Sequence, residues 1–427
     1  MKRRKFLKTV GVSTGAFIFA SCSDNEEQSN YLSSPDGYVF HPLKTVNIDE
    51  QELQTVMLTN DNRITYHLKD KTTKIDSLHE MYISFDGIKR PQILEENIIT
   101  LSDKISGYST NDNGTTLFSS KSKSNEYLTS IYKHNNGNKT VFLEKGVPLK
   151  LNQQNVTLSG SFGDLELDNN DKLLLNCGFN NDELTYPANT LIYIDTSSKE
   201  SHNHLFSSYH PIIASSKVIH GIGLIDLSPN QETYVSHINI NNNLAQYNNE
   251  PHDSAVVSGN VSVSGILNHH VLPSSLKTSA SYTSQTISGT DMFGPRTNDL
   301  SHIAVVMKNE NELYVLYKNN IEVTKETNKT PLNNQIDAFY GYIPAQSGLL
   351  FYQVYTTLKE DELSIYDGTS SKTILTTKTI IEDREDAPVI AELRFGSVRT
   401  CVDSLNRIVL LATFNDDTQA ILLGIPV

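Results

Sequence analysis

Residue types able to do chemistry are few in this chain and thinly placed. His202, His204, His210 and His220 fall in one connection and His269-His270 in another, near enough in sequence for imidazoles to share a metal ion. No carboxylate stands beside them at a ligand spacing such as HxxxH or HxxE, so a polar loop with scattered histidines is expected and no metal site is assigned. Ser274-Ser275-Leu276-Lys277 has the S-x-x-K form of a serine nucleophile motif. It sits in a Ser- and Thr-rich run from Ser274 to Ser288, where composition alone produces that form. Asp61, Asp112 and Asp171 lie in turns rich in Asn and Asp, where a side chain closes on its own backbone. Calcium would need a denser set of carboxylates. Cys177 and Cys401 each lie inside an apolar, strand-like run and are expected as buried thiols, although an oxidising compartment would permit a disulfide. There is no CxxC, no Cys/His metal spacing, no P-loop and no GxGxxG, so no catalytic residue and no cofactor is assigned.

What carries these residues is a repeat. A turn of Asn and Asp is followed by an apolar strand, a polar linker, a second apolar strand that often holds Tyr, and another turn. Asn62, Asn113, Asn170, Asn230, Asp299, Gln346 and Asn406 anchor seven copies at spacings of 51, 57, 60, 69, 47 and 60 residues. Several copies place a glycine shortly before the turn: Gly107, Gly163, Gly223, Gly294, Gly341 and Gly396. That position reads as an innermost strand, where a residue without Cβ lets neighbouring backbones approach. Sheets of four antiparallel strands arranged radially bury both faces against their neighbours. The expected fold is therefore all-β, a single β-propeller of seven blades; an eight-bladed ring with a degenerate first blade, or a pair of β-sandwiches, is the alternative.

The last copy offers an inner strand (Val398 to Val402), a second (Ile408 to Phe414) and a third (Gln419 to Ile425), then ends without a fourth. Ser34 to Leu43 forms an extra strand with no blade of its own. Pairing the N- and C-terminal strands would close the ring. The longest interval, residues 241–292, reads as an excursion over one face.

The chain has 427 residues, of which 37% are hydrophobic and 20% charged, too apolar a balance for a disordered protein. Twenty Tyr and no Trp accompany abundant Asn and Ser, a balance that favours strands joined by polar turns. The N-terminus differs from the rest. Lys2, Arg3, Arg4, Lys5 and Lys8 precede an apolar stretch from Thr9 to Ala20, the order of a secretory signal and too short a run for a spanning helix. The expected organisation is a signal peptide over 1–21, an acidic tether over 22–32, and the propeller over 33–427. Loss of residues 1–21 removes five positive charges and moves the net charge from −14 to −19. Nucleic acid is thereby disfavoured as a partner.

Three segments resemble known families. Arg3-Arg4-Lys5-Phe6-Leu7-Lys8 is similar to the twin-arginine export consensus, with Lys2 where Ser or Thr is usual; the general secretory route is the alternative. Phe19-Ala20-Ser21-Cys22 resembles the lipobox of bacterial lipoproteins, with Phe19 in place of Leu. The resemblance implies that the Cys22 thiol is acylated and becomes the new amino terminus. The acidic run Ser23 to Asn30 resembles the signal that sends lipoproteins of the Bacteroidota to the cell surface. In the body, Ser34-Pro35-Asp36-Gly37 and Leu227-Ser228-Pro229-Asn230 look like the turn of TolB-like, WD40-like propeller repeats, and Thr110 to Gly114 is similar to the Asp-box turn of sialidases, without its aromatic. The propeller likenesses imply architecture alone, since so widely used a fold carries no single function. An anchor and a scaffold beside no catalytic constellation make the expected protein a non-enzymatic, lipid-anchored, monomeric envelope or outer-membrane protein that binds a protein or glycan partner on one face of a disc. The alternative is a carbohydrate-active enzyme, a glycoside hydrolase or lyase, with carboxylates roughly 5–10 Å apart at the channel mouth.

Overall fold

The computed structural model of the chain describes residues 37–85, 91–102, 104–122, 125–151, 154–180, 189–198, 202–207, 218–241, 253–263, 268–270, 294–308, 313–381, 388–395 and 401–427. The chain enters with β1 (Tyr38–Asn47), which belongs to no blade of its own. Blade 1 follows with β2 (Gln51–Leu58), β3 (Arg63–Asp70), β4 (Asp76–Phe85) and β5 (Pro91–Ser102), and blade 2 with β6 (Ile105–Thr110), β7 (Thr116–Ser122), β8 (Asn125–Asn135) and β9 (Asn138–Leu143). Blade 3 has an additional strand: β10 (Pro148–Leu151), β11 (Gln154–Leu167), β12 (Lys172–Asn180), β13 (Asn189–Asp195) and β14 (His202–Ser207). Blade 4 contains β15 (Val218–Leu227), β16 (Thr233–Asn241), β17 (Asp253–Asn260) and β18 (Asn268–His270). Blade 5 contains β19 (Arg296–Thr297), β20 (Ile303–Lys308), β21 (Tyr314–Lys318) and β22 (Ile321–Lys325). Blade 6 contains β23 (Ile336–Pro344), β24 (Leu350–Thr356), β25 (Asp361–Tyr366) and β26 (Ser371–Thr376), and blade 7 has β27 (Ile390–Phe395), β28 (Ile408–Phe414) and β29 (Thr418–Pro426). Every described pairing is antiparallel between neighbours in sequence, except that β1 pairs with β29.

This is a seven-bladed β-propeller closed by its two terminal strands. Its register runs from Tyr38 opposite Pro426 to Asn47 opposite Thr418, with one bulge at Leu43. The closing strand therefore runs beyond the expected Leu43. A second difference concerns blade 7, whose innermost strand begins at Ile390; Val402 contributes a single bridge to Ile408, and residues 396–400 lie outside the described set. The polar Glu392 and Arg394 hide that strand from a hydrophobicity reading. Within the interval 241–292, β17 and β18 are the third and fourth strands of blade 4.

Apolar runs form strands here because both faces of a blade are covered. Leu173, Leu174 and Leu175 are consecutive and all buried, with Leu173 and Leu175 facing blade 2 and Leu174 facing blade 4. Such a run is the mark of a strand buried on both sides. The apolar side chains gather in six clusters that fill the spaces between successive blades, the largest spanning blades 6, 7 and 1. Two of the glycines expected at innermost strands lie where blades crowd. A Cβ on Gly341 would come within 2.6 Å of the Phe395 ring, and one on Gly294 within 2.6 Å of Leu224, each on the next or preceding blade.

Candidate functional site at the channel mouth

The turn between the first and second strand of each blade repeats one construction at one end of the axis. Its first residue opens a backbone bond to the residue four further on, as in Thr59 N–H to Arg63 O and Asp168 N–H to Lys172 O, both 3.0 Å. Blade 4 uses one residue more, Ser228 N–H to Thr233 O at 2.9 Å. The last turn residue takes left-handed φ in every blade: Asn62 66°, Gly114 85°, Asp171 57°, Glu232 53°, Ser301 58°, Gly348 89° and Asn406 61°. The side chains that close on their own turn are those at its first position. Asp168 Oδ1 accepts the amides of Asn170 (2.8 Å) and Lys172 (2.9 Å), and Asn111, Asn298 and Asp403 do the same in their blades. This corrects the expectation for Asp61, Asp112 and Asp171. Asp61 accepts from Thr59 Oγ1 and Arg63, Asp171 accepts the Asn111 amide at 2.7 Å, and Asp112 reaches the neighbouring blades.

The second and third turn positions join the blades into a belt. Asn60 donates its backbone and side-chain amides to the two oxygens of Asp112, both at 2.8 Å. The Asp112 N–H donates to Asn169 Oδ1 at 3.0 Å, and the Asn169 N–H to Pro229 O at 2.9 Å. Asn230 repeats the Asn60 geometry on Asp299, at 2.8 and 2.7 Å. Asp299 N–H donates to Gln346 Oε1 at 2.8 Å, Ser347 Oγ to Asn406 Oδ1, and Ser404 N–H returns to Asn60 Oδ1 at 2.7 Å. All seven joints are linked. In sequence the signal was present as an amide, carboxyl or hydroxyl at one turn position, but its partner stands a whole blade away.

Buried charges brace the belt from below. Arg63, 1% exposed, pairs with Asp61 and lies 5.7 Å over the Tyr82 ring. Arg407 pairs with the buried Asp403, whose carboxyl is pushed up by burial against the opposing pull of that guanidinium. Tyr193 O–H donates to Asp168; burial, and then that bond, raise the phenol, while burial also raises the acid. Beneath the belt lies a cavity of about 50 Å³ on the axis, lined by side chains of all seven blades. That volume holds a water molecule or a few at most. Its walls carry Ser109, Thr110 and Thr297, the apolar Leu58, Leu167, Leu227 and Ile343, and the acids Asp112, Glu166, Asp226 and Asp403. Asp112 is committed to inter-blade amides, and Asp226 Oδ2 accepts the Thr297 N–H of blade 5 at 2.7 Å.

Other sequence candidates fall elsewhere. His204 lies on β14, its Nε2 2.8 Å from Ser207 Oγ. The side chains of His202, His220, His269 and His270 are outside the described set, as are residues His210, Ser274, Lys277, Arg3, Arg4 and Cys22. Among the described residues no group of three or more His, Cys, Asp and Glu is placed to hold a metal. Cys177 and Cys401 are buried in different apolar clusters and are not joined in a disulfide.

No family model matches the chain, and no curated protein sequence matches it. Solved structures align with it at low identity. A prolyl endopeptidase aligns at 10% identity over 88% of this chain and 47% of its own, with a TM-score of 0.46. An acylaminoacyl peptidase of Pyrococcus horikoshii aligns at 11% over 86% of this chain and 50% of its own, with a TM-score of 0.45. A chain of the S. cerevisiae assembly of dbp5 with nup159 and gle1 aligns at 10% over 92% and 97%, with a TM-score of 0.38. This chain thus spans about half the length of the two peptidases it matches.

Proposed function

We propose that the protein is an exported lipoprotein, tethered to the cell envelope by a lipid on Cys22, whose propeller binds a protein or glycan partner through the face that carries the turn belt. The observation that carries the binding reading is the rigid rim itself. Asn60, Asn113, Asn170 and Asn230 are exposed around the mouth, with Leu300 (51%) and Leu405 (64%) between them, on turns braced by side chains of adjacent blades. Asn60 and Asn230 spend one side-chain N–H and the oxygen on the belt and keep a second N–H to offer beside the Asn170 amide, so donors to hydroxyls or to a peptide backbone are held at little ordering cost. The cavity below is too small for a sugar ring, so the partner rests on the mouth instead of entering it. The tether reading rests on Arg3, Arg4 and the Phe19-Ala20-Ser21-Cys22 sequence.

Two measurements test the two halves separately. Cys22→Ala should move the protein from the membrane fraction to the soluble exported fraction; unchanged membrane retention ends the lipid claim. For binding, the body from residue 33 onward is screened on glycan and peptide arrays beside a Leu405→Ser variant. Signals that the rim variant loses support the proposed face, whereas signals that it keeps unaltered place binding elsewhere.

A further inference from the structure

Asp361 is the first residue of β25 and is 3% exposed. Its Oδ2 accepts the backbone N–H of Leu393, on the innermost strand of blade 7, at 2.8 Å. Its Oδ1 is buried and has no hydrogen-bond partner. The Gln353 side-chain amide lends the acid some support but donates its own bond to Leu393 O at 2.7 Å.

The same link occurs at two other joints with different charge. Asp76, first in β4, accepts the Ile105 N–H of blade 2 at 2.8 Å, and Gln419 near the start of β29 accepts the Leu53 N–H of blade 1 at 2.7 Å. Asp76 has His67 Nε2 at 3.4 Å, and Gln419 carries no charge. Asp361 is a carboxylate in the same setting whose neighbours are of the wrong kind. Blade 6 contributes Tyr340 on β23, Tyr355 paired with Asp361 from β24, and Thr377, whose Oγ1 accepts the Asp361 N–H at 3.2 Å. Blade 7 contributes Glu392, a like charge that raises the acid further. The adjacent Glu360 is held by Lys378. A buried carboxylate without a cation and with one oxygen unbonded is held against its desolvation cost.

We infer that Asp361 is a proton-operated joint between blades 6 and 7: protonated, it leaves the Leu393 link intact without a buried charge; ionised, it strains the blade that closes the ring. Burial, the larger cause, and Glu392 push the acid up to about 6 from 3.8. The folded chain therefore holds a proton that the unfolded chain releases between those values, so the joint is tightest below that window and loosens as pH rises through it. Asp76 behaves in the opposite sense, since its hydrogen bonds from His67 and Ile105 outweigh its burial and lower it.

Amide hydrogen exchange of the intact body at pH 4.5 and 7.5, corrected for intrinsic rates, tests this. Protection of segment 388–395 relative to segment 51–58, whose Leu53 link is to the uncharged Gln419, should fall about tenfold between the two pH values, a factor within the roughly 25-fold that such a shift allows over this pH range. In Asp361→Asn that ratio should not change with pH. A pH-independent ratio in the natural protein, or the same fall in the variant, overturns the inference. Should the variant not fold, the ratio in the natural protein decides alone.

Discussion

The innermost-strand glycines look equivalent in sequence, and the structure divides them. Gly341 and Gly107 occupy corresponding positions on β23 and β6, and neither has the left-handed φ that excludes a side chain. A Cβ at Gly107 would find its nearest neighbour, Ser119 Oγ, at 3.9 Å, an ordinary contact. A Cβ at Gly341 would meet Phe395 Cδ2 at 2.6 Å, Cγ at 3.1 Å and Cβ at 3.3 Å. Phe395 is 6% exposed inside the cluster shared by blades 6, 7 and 1, and its own N–H is fixed to Gln353 Oε1 at 3.1 Å, so the ring has little room to retreat. Gly341→Ala should cost about 1–3 kcal/mol, the range for an extra methyl forced into a packed interior. Gly107→Ala should stabilise by about 0.4–1 kcal/mol, because alanine restricts the unfolded chain where the folded site accepts it. At roughly 2 °C per kcal/mol for a domain this large, differential scanning calorimetry should show Tm falling by about 2–6 °C in the first variant and rising by about 1–2 °C in the second. Adding Phe395→Leu to Gly341→Ala should recover part of the loss, a coupling that distant sites do not show. Equal shifts of one sign in both single variants would refute the crowding argument.

Two further outcomes follow from the belt and from the core. Asp112→Ala strands the backbone and side-chain amides of Asn60 and one bond from Asn169; because the site is only half-buried, we expect a loss of about 1–2 kcal/mol in urea melts, and no loss would show the belt to be decorative. Burial raises the Cys177 thiol well above its ordinary range, so the folded body should resist iodoacetamide at pH 8 and take up two labels only in guanidinium, with native labelling as the contrary result.

The ring was legible because its period is long and its strands are strongly apolar. The turn register was less so, for a specific reason. Asn is suited both to left-handed φ and to capping, so anchors chosen on Asn fell on the fourth turn position at Asn62 and Asn406 but on the third at Asn113, Asn170 and Asn230. The capping residues Asn111, Asp168, Asn298 and Asp403 stand one to three places earlier. The first strand of blade 7 escaped notice because Glu392 and Arg394 interrupt it, while Val398 to Val402 looked better on hydrophobicity. The belt was beyond reach for another reason: Asn230 and Asp299 stand sixty-nine residues apart, and nothing local in either turn names the other.

The belt has a direction. At every joint a donor, a backbone N–H in six cases and the Ser347 hydroxyl in one, points from a blade to the next in sequence, and Ser404 hands the circuit back to Asn60. A chain of links with no first or last member acts as a hoop. Outward load on one blade is passed round the circumference and shared by all seven turns, so the mouth keeps its shape under tension that a row of isolated contacts would meet one at a time.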